Sequence, residues 1–178
     1  IGNLGDLAGS LTGGESSYTS QPTNYTDQDE RKEFASVVFG HLEDYWEEEF
    51  TARQETYTDP TMVFFTDQVQ TACGGASSAV GPFYCPGDQK VYIDLSFADE
   101  LANKYGAAGD FALAYVIAHE VGHHVQNELG ISAKVQQLQN SLPEKEGNEY
   151  SVRLELQADY LAGCFAKYLE GETYNGQP

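Results

Sequence analysis

The sequence predicts an α+β domain, mostly helical, with a small antiparallel sheet ahead of its principal helix. Three observations carry this. Phe34, Val37, Val38, His41, Leu42, Tyr45, Trp46 and Phe50 recur at helical spacing across about 27–53. Short alternating or β-branched runs at Thr61–Thr66, Gln68–Ala72 and Val91–Leu95 read as strands. An apolar run, Phe111–Ala118, then opens a helix that ends at a glycine, Gly130.

Taken in order, residues 1–26 are rich in Gly, Ser and Thr and show no periodicity. They read as a flexible arm or linker, leaving residues 27–178 as a single domain. The acids Asp27, Asp29 and Glu30 lack the spacing of a calcium loop and suit a helix N-terminus. His41 lies on the apolar face of this first helix and reads as a core-edge residue. After the strands, Ser96–Tyr105 is a short helix with Ser96 or Asp99 as cap. The principal helix runs from about Asp110, its expected N-cap, to Leu129. Ile131–Asn140 is helical. Ser141-Leu-Pro-Glu144 has the form of a capping box opening a last helix to about Glu170, with a break expected near Gly147-Asn148.

The chain has 178 residues, 40% of them apolar, and 28 acidic against 9 basic side chains, a formal net charge of −19. Such a charge argues against binding nucleic acid or an anionic membrane surface. Nothing approaches the ~18 consecutive apolar residues of a membrane span. Cys73 and Cys85 bracket a loop-rich stretch and are expected to be bridged, which implies an oxidising compartment. Cys164, in an apolar helical context, reads as a buried free thiol.

The principal helix carries His119-Glu120-Val121-Gly122-His123-His124. Two histidines four apart share one helix face, about one turn apart, and can bind one Zn²⁺ at about 2.0–2.1 Å each. Glu120 lies beside that position, where a carboxylate can take a proton from water. A buried cluster of this kind with no metal would be costly to desolvate. His124 points about 100° away around the helix and reads as a residue of the cleft or its support. A catalytic zinc needs three protein ligands and one open position. The last helix offers Glu155 and Asp159 four apart, beside the small residues Ala158, Ala162, Gly163 and Ala166. Small residues let two helices approach closely, and Gly122 lies between the two motif histidines. Glu155 is therefore the expected third ligand, and Asp159 the acceptor that fixes a ligand imidazole. An exposed edge on a strand such as Val91–Leu95 would suit pairing with an extended peptide.

These residues resemble a known family. His119-Glu-Val-Gly-His-His-Val-Gln126 with Glu155-Leu-Gln-Ala-Asp-Tyr-Leu-Ala-Gly163 is similar to the neutral zinc metallopeptidases of bacteria, within the broader gluzincin group. Gly81-Pro-Phe-Tyr-Cys-Pro86 and Val91-Tyr-Ile-Asp94 resemble that family's segment upstream of the active helix. The resemblance implies a zincin-like fold and peptide-bond hydrolysis of a peptide or protein substrate, with one catalytic zinc. It implies His119, His123 and Glu155 as ligands, Glu120 as base, and Asp159 as the residue that orients a histidine. It also implies a membrane anchor upstream of residue 1, with residues 1–26 resembling the linker that follows it. The domain would then be extracytoplasmic, secreted or membrane-anchored. Tyr150, Arg153 and His124 are candidates for the donor that stabilises the oxyanion. The stretch 124–154 between His123 and Glu155 is longer than the usual gluzincin gap, with the helix at Ile131–Asn140 as the candidate insertion. Two other readings share the motif. One is a zinc-stabilised binding or assembly module without turnover, against which the intact Glu120 argues. The other is a metallohydrolase restricted to cell-wall peptide.

Overall fold

The computed structural model describes residues 27–77, 81–105 and 107–171. The arm expected at 1–26 lies outside the described residues. Among the described residues, five helices and five short strands follow in the order α1 (Asp27–Ala52), β1 (Thr61–Phe65), β2 (Gln68–Thr71), β3 (Gly74–Ser77), β4 (Phe83–Cys85), β5 (Lys90–Asp94), α2 (Leu95–Tyr105), α3 (Ala107–Glu128), α4 (Ile131–Ser141) and α5 (Glu144–Tyr168). The α+β expectation holds.

The sheet differs from the one expected. β5 is its centre, parallel to β1 and antiparallel to β4, while β2 and β3 form a separate hairpin. A parallel pair needs a crossover of a dozen or more residues. The connection from Phe65 to Lys90 supplies it, and uses it to fold β2, β3 and β4. β3 and β4 fall in the stretch between and around the cysteines that reads as loop. Because β5 has a neighbour on each side, the segment Val91–Leu95 presents no edge to a peptide. The open edges belong to β1 and β4.

Each face of the sheet is covered. Val91 and Ile93 point into the main core with Val38, Phe39, Leu42, Trp46 and Phe50 of α1, Leu113, Ile117, Val121 and Val125 of α3, and Phe165 of α5. Tyr92, Phe65 and Cys85 face the other way, onto Val63, Val69 and Phe83. Alternation along β5 thus divides the two cores. The Cys73 and Cys85 sulfurs lie 2.01 Å apart, tying the β2–β3 turn to β4. Cys164 is free, but half-buried rather than buried.

Several helix ends are set by residues other than those expected. Asp94, fully buried, accepts from the Ser96 N–H at 2.9 Å and caps α2. Asp99 instead pairs with Arg31 of α1 at 2.7 Å. α3 starts at Ala107, so Asp110 lies in its first turn and is not its cap. Gly130, at φ 70°, adopts the left-handed turn that separates α3 from α4. Ser141 donates to the Leu138 carbonyl and belongs to α4, leaving Pro143 as the N-cap of α5 with no capping side chain. α5 runs through Gly147 unbroken. A Cβ there would stand 3.4 Å from the Gln139 Cα, so this glycine serves the contact with α4. No helix among the described residues is long and apolar enough to cross a membrane.

Candidate metal centre

α3 and α5 pack against each other more closely than two helices with ordinary side chains could. A Cβ on Gly122 would stand 3.2 Å from the Ala158 carbonyl oxygen and 3.3 Å from its Cα. Ala158 and Ala162 are buried in this contact, as expected, while Gly163 is exposed. The close approach lets the short Glu155 side chain reach across to the histidines of α3.

His119, His123 and Glu155 converge. The two Nε2 atoms lie 3.1 Å apart, and Glu155 Oε2 lies 3.3 Å from one and 3.4 Å from the other. What faces the centre follows from what lies behind each ring. His119 Nδ1 is 2.9 Å from Asp159 Oδ1, and that carboxylate also accepts from the Tyr115 hydroxyl at 2.8 Å. Tyr115, first, and then His119 hold the Asp159 carboxyl below its usual range against the opposing effect of burial. An ionised carboxylate only accepts, so His119 Nδ1 carries the proton. His123 Nδ1 is 2.9 Å from Gln126 Oε1, and the other side of that amide donates to the Leu154 carbonyl at 2.7 Å. A carbonyl also only accepts, so the Gln126 oxygen faces the ring and His123 Nδ1 carries the proton too.

With both rings neutral, the two Nε2 lone pairs and a carboxylate oxygen meet within 3.4 Å of one another, and none of the three is a donor. Such an arrangement suits a cation. A tetrahedral Zn²⁺ with bonds of about 2.0–2.2 Å needs its donor atoms about 3.3–3.6 Å apart, close to the triangle observed. The histidine side chains are 17% and 18% exposed and Glu155 is 59% exposed, so the centre opens to solvent on one side.

Glu120 takes no part in the triangle. Its Oε2 accepts from the Tyr84 main-chain N–H of β4 at 2.9 Å. Burial pushes its carboxyl up to about 7, with His119 and the Tyr84 N–H opposing and Glu155 adding. The outer edge of β4 thus faces the metal centre, and the base candidate lies between the two. One turn on, His124 is fully buried. Its Nε2 donates to the Thr58 carbonyl at 2.6 Å, so its Nδ1 accepts from the Tyr84 hydroxyl at 3.0 Å. Burial pulls its pKa down.

The five residues expected at the site are therefore assembled by the fold. Two of the oxyanion-donor candidates, His124 and Arg153, are not. His124 spends both ring nitrogens on Thr58 and Tyr84 inside the protein, because its direction around α3 takes it under the sheet. Arg153 lies two residues before Glu155, about 200° around α5, exposed and stacked 5.1 Å over Tyr150. Gln126, Tyr115 and Tyr84 escaped the sequence reading. Gln126 is three residues after His123 and Tyr115 four before His119, so helical spacing offered a signal for both. Spacing offered none for Tyr84, which arrives from a strand; only the family resemblance of Gly81–Pro86 marked its segment.

Fold and site together define an α+β protein with a candidate cation site built across two helices, two imidazoles on one and a carboxylate on the other. Over residues 4–175 the chain matches the family described as "Putative neutral zinc metallopeptidase", and it belongs to that family. It is 46% identical over 166 residues to the uncharacterized protein YpfJ of Escherichia coli K12, covering 93% of this chain and 58% of that one. It is 49% identical over 113 residues to the uncharacterized protein Rv2575 of Mycobacterium tuberculosis, covering 63% of this chain and 37% of that one. The chain thus spans less than two thirds of the length of these relatives. No solved structure matches it.

Proposed function

We propose that this chain is a zinc-dependent endopeptidase, with His119, His123 and Glu155 holding one Zn²⁺ and Glu120 acting as general base. The triangle of lone pairs with no donor between them carries the reading. A zinc ion held there supplies Lewis acidity, polarising a scissile carbonyl and making a water acidic enough to attack near neutral pH. The protein's own groups do the rest. Asp159 and Gln126 keep both imidazoles with their lone pairs inward. Glu120 takes the proton of the attacking water and passes it to the leaving amine. The outer edge of β4, whose Tyr84 N–H is given to Glu120, lies beside the base, which favours it over β1 as the edge for an extended substrate backbone. The Cys73–Cys85 bridge supports an extracytoplasmic site of action, whether secreted or anchored.

The test is hydrolysis of an unfolded protein such as casein by wild type and Glu120→Gln, each shown to hold one zinc. The expected result is loss of about 10²–10⁴-fold in rate with zinc retained. Equal rates would remove Glu120 from the role of base. Full zinc with no turnover in either protein would favour a zinc-stabilised binding module.

A further inference from the structure

We propose that Gln126 is a positioning residue for the metal site, one that fixes His123 in its ligating tautomer and ties it to the turn of α5 that carries Glu155. The inference rests on the proposed metal reading but makes a claim of its own. Gln126 is fully buried, so its carboxamide must find partners inside the protein, and it finds them on both sides. Its oxygen accepts from His123 Nδ1 at 2.9 Å. Its nitrogen donates to the Leu154 carbonyl at 2.7 Å and to Gln157 Oε1 at 3.1 Å. Leu154 and Gln157 flank Glu155 in the chain. One amide therefore spans the second ligand and the segment bearing the third.

The Leu154 carbonyl makes this orientation one-way. A flipped amide would set oxygen against oxygen there, and would set its NH₂ against the proton on His123 Nδ1. Neutral imidazole has only one N–H, so a donor on Nδ1 leaves Nε2 bare toward the centre. The two histidines are backed differently. His119 has a carboxylate behind it and His123 a neutral amide. The amide therefore sets the tautomer without adding a second negative charge behind the ligands.

The experiment reads the histidine tautomers of the metal-free 178-residue chain by long-range ¹H–¹⁵N NMR, at a pH where the rings are neutral. It then measures Zn²⁺ affinity by competition with a chelator. Wild type, Gln126→Met and Gln126→Glu are compared. The methionine keeps length and loses all hydrogen bonding, while the glutamate, protonated in this buried position, keeps an acceptor for His123 and an O–H donor for the Leu154 carbonyl. The expected result is Nδ1–H on His123 in wild type and in Gln126→Glu, and its loss in Gln126→Met. Zinc affinity should fall about 10–100-fold in Gln126→Met, with part of that recovered in Gln126→Glu. A wild-type His123 carrying its proton on Nε2 overturns the proposal whether or not the variants fold. So does an equal loss of affinity in both variants, which would mark Gln126 as structural only. A wild type that binds no zinc would sink the metal reading, while the tautomer comparison would still decide the role of Gln126.

Discussion

Two walls meet at the candidate site, and they are held by different means. The α5 wall is joined to α3 through side chains: Asp159 to His119 and Tyr115, Gln126 to Leu154 and Gln157, and the Gly122–Ala158 contact beneath them. The β4 wall touches the site through one main-chain N–H, from Tyr84 to Glu120. That strand is steadied from behind by Tyr84 on His124 and by the bridge from Cys85 to Cys73. The difference separates two properties. Damage to the α5 wall should be read in zinc affinity, and damage to the β4 wall in rate at full zinc occupancy.

The largest expected effect is on the first wall. Glu155→Ala removes one of three donors, and its zinc affinity should fall by more than the ~10–100-fold typical of supporting residues. Chelator competition measures it, and unchanged affinity would dissolve the distinction between the walls. Next comes the bridge. Replacing Cys73 and Cys85 by serine frees a loop with a sequence separation of 12 and should cost about 3 kcal/mol in denaturant unfolding. The folded variant should bind zinc as wild type does yet turn over more slowly. A matching loss of zinc would show that β4 supports the ligands as well.

The third concerns pH. Burial holds the Glu120 carboxyl at about 7 against an ordinary 4.5. Folding therefore favours its protonated form, and that contribution is present below about pH 4.5 and lost as pH rises through about 7. Without metal, wild type should lose up to ~3 kcal/mol of stability across this window relative to Glu120→Gln. Bound zinc, a nearby positive charge, should shrink the difference. Equal pH profiles for the two metal-free proteins would show Glu120 to be better solvated than its surroundings suggest. The smallest effect is that of Tyr84→Phe. It keeps the N–H on Glu120 and loses the hydroxyl on His124, costing about 1 kcal/mol and up to about tenfold in rate, with zinc unchanged. A larger effect on zinc than on rate would reverse the comparison.

Legibility followed the same division. His119, Glu120 and His123 are four consecutive helical positions apart at most, and helical geometry alone places them together. Glu155 and Asp159 could be named because small residues beside them announced a close helix contact. Gln126 and Tyr115 carried a helical-spacing signal that the motif overshadowed. His124 reads as a residue of the cleft or its support, and it is support: spacing gives its direction around α3 but not that Tyr84 and Thr58 lie there. Tyr84 had no signal from spacing, because a strand's neighbours are set by pairing across the chain; its segment was marked only by the family resemblance.

The sequence by itself determined the helices, the two histidines and the carboxylates that accompany them, since these depend on periodicities of a few residues. Only the tertiary structure decided which strand flanks the site. β5 became the covered centre of a mixed sheet and β4 its edge, because β1 pairs parallel with β5 across the long connection between them. Local spacing can specify a helix face, but strand partners lie far apart in sequence and are chosen by which cores the two sheet faces can bury.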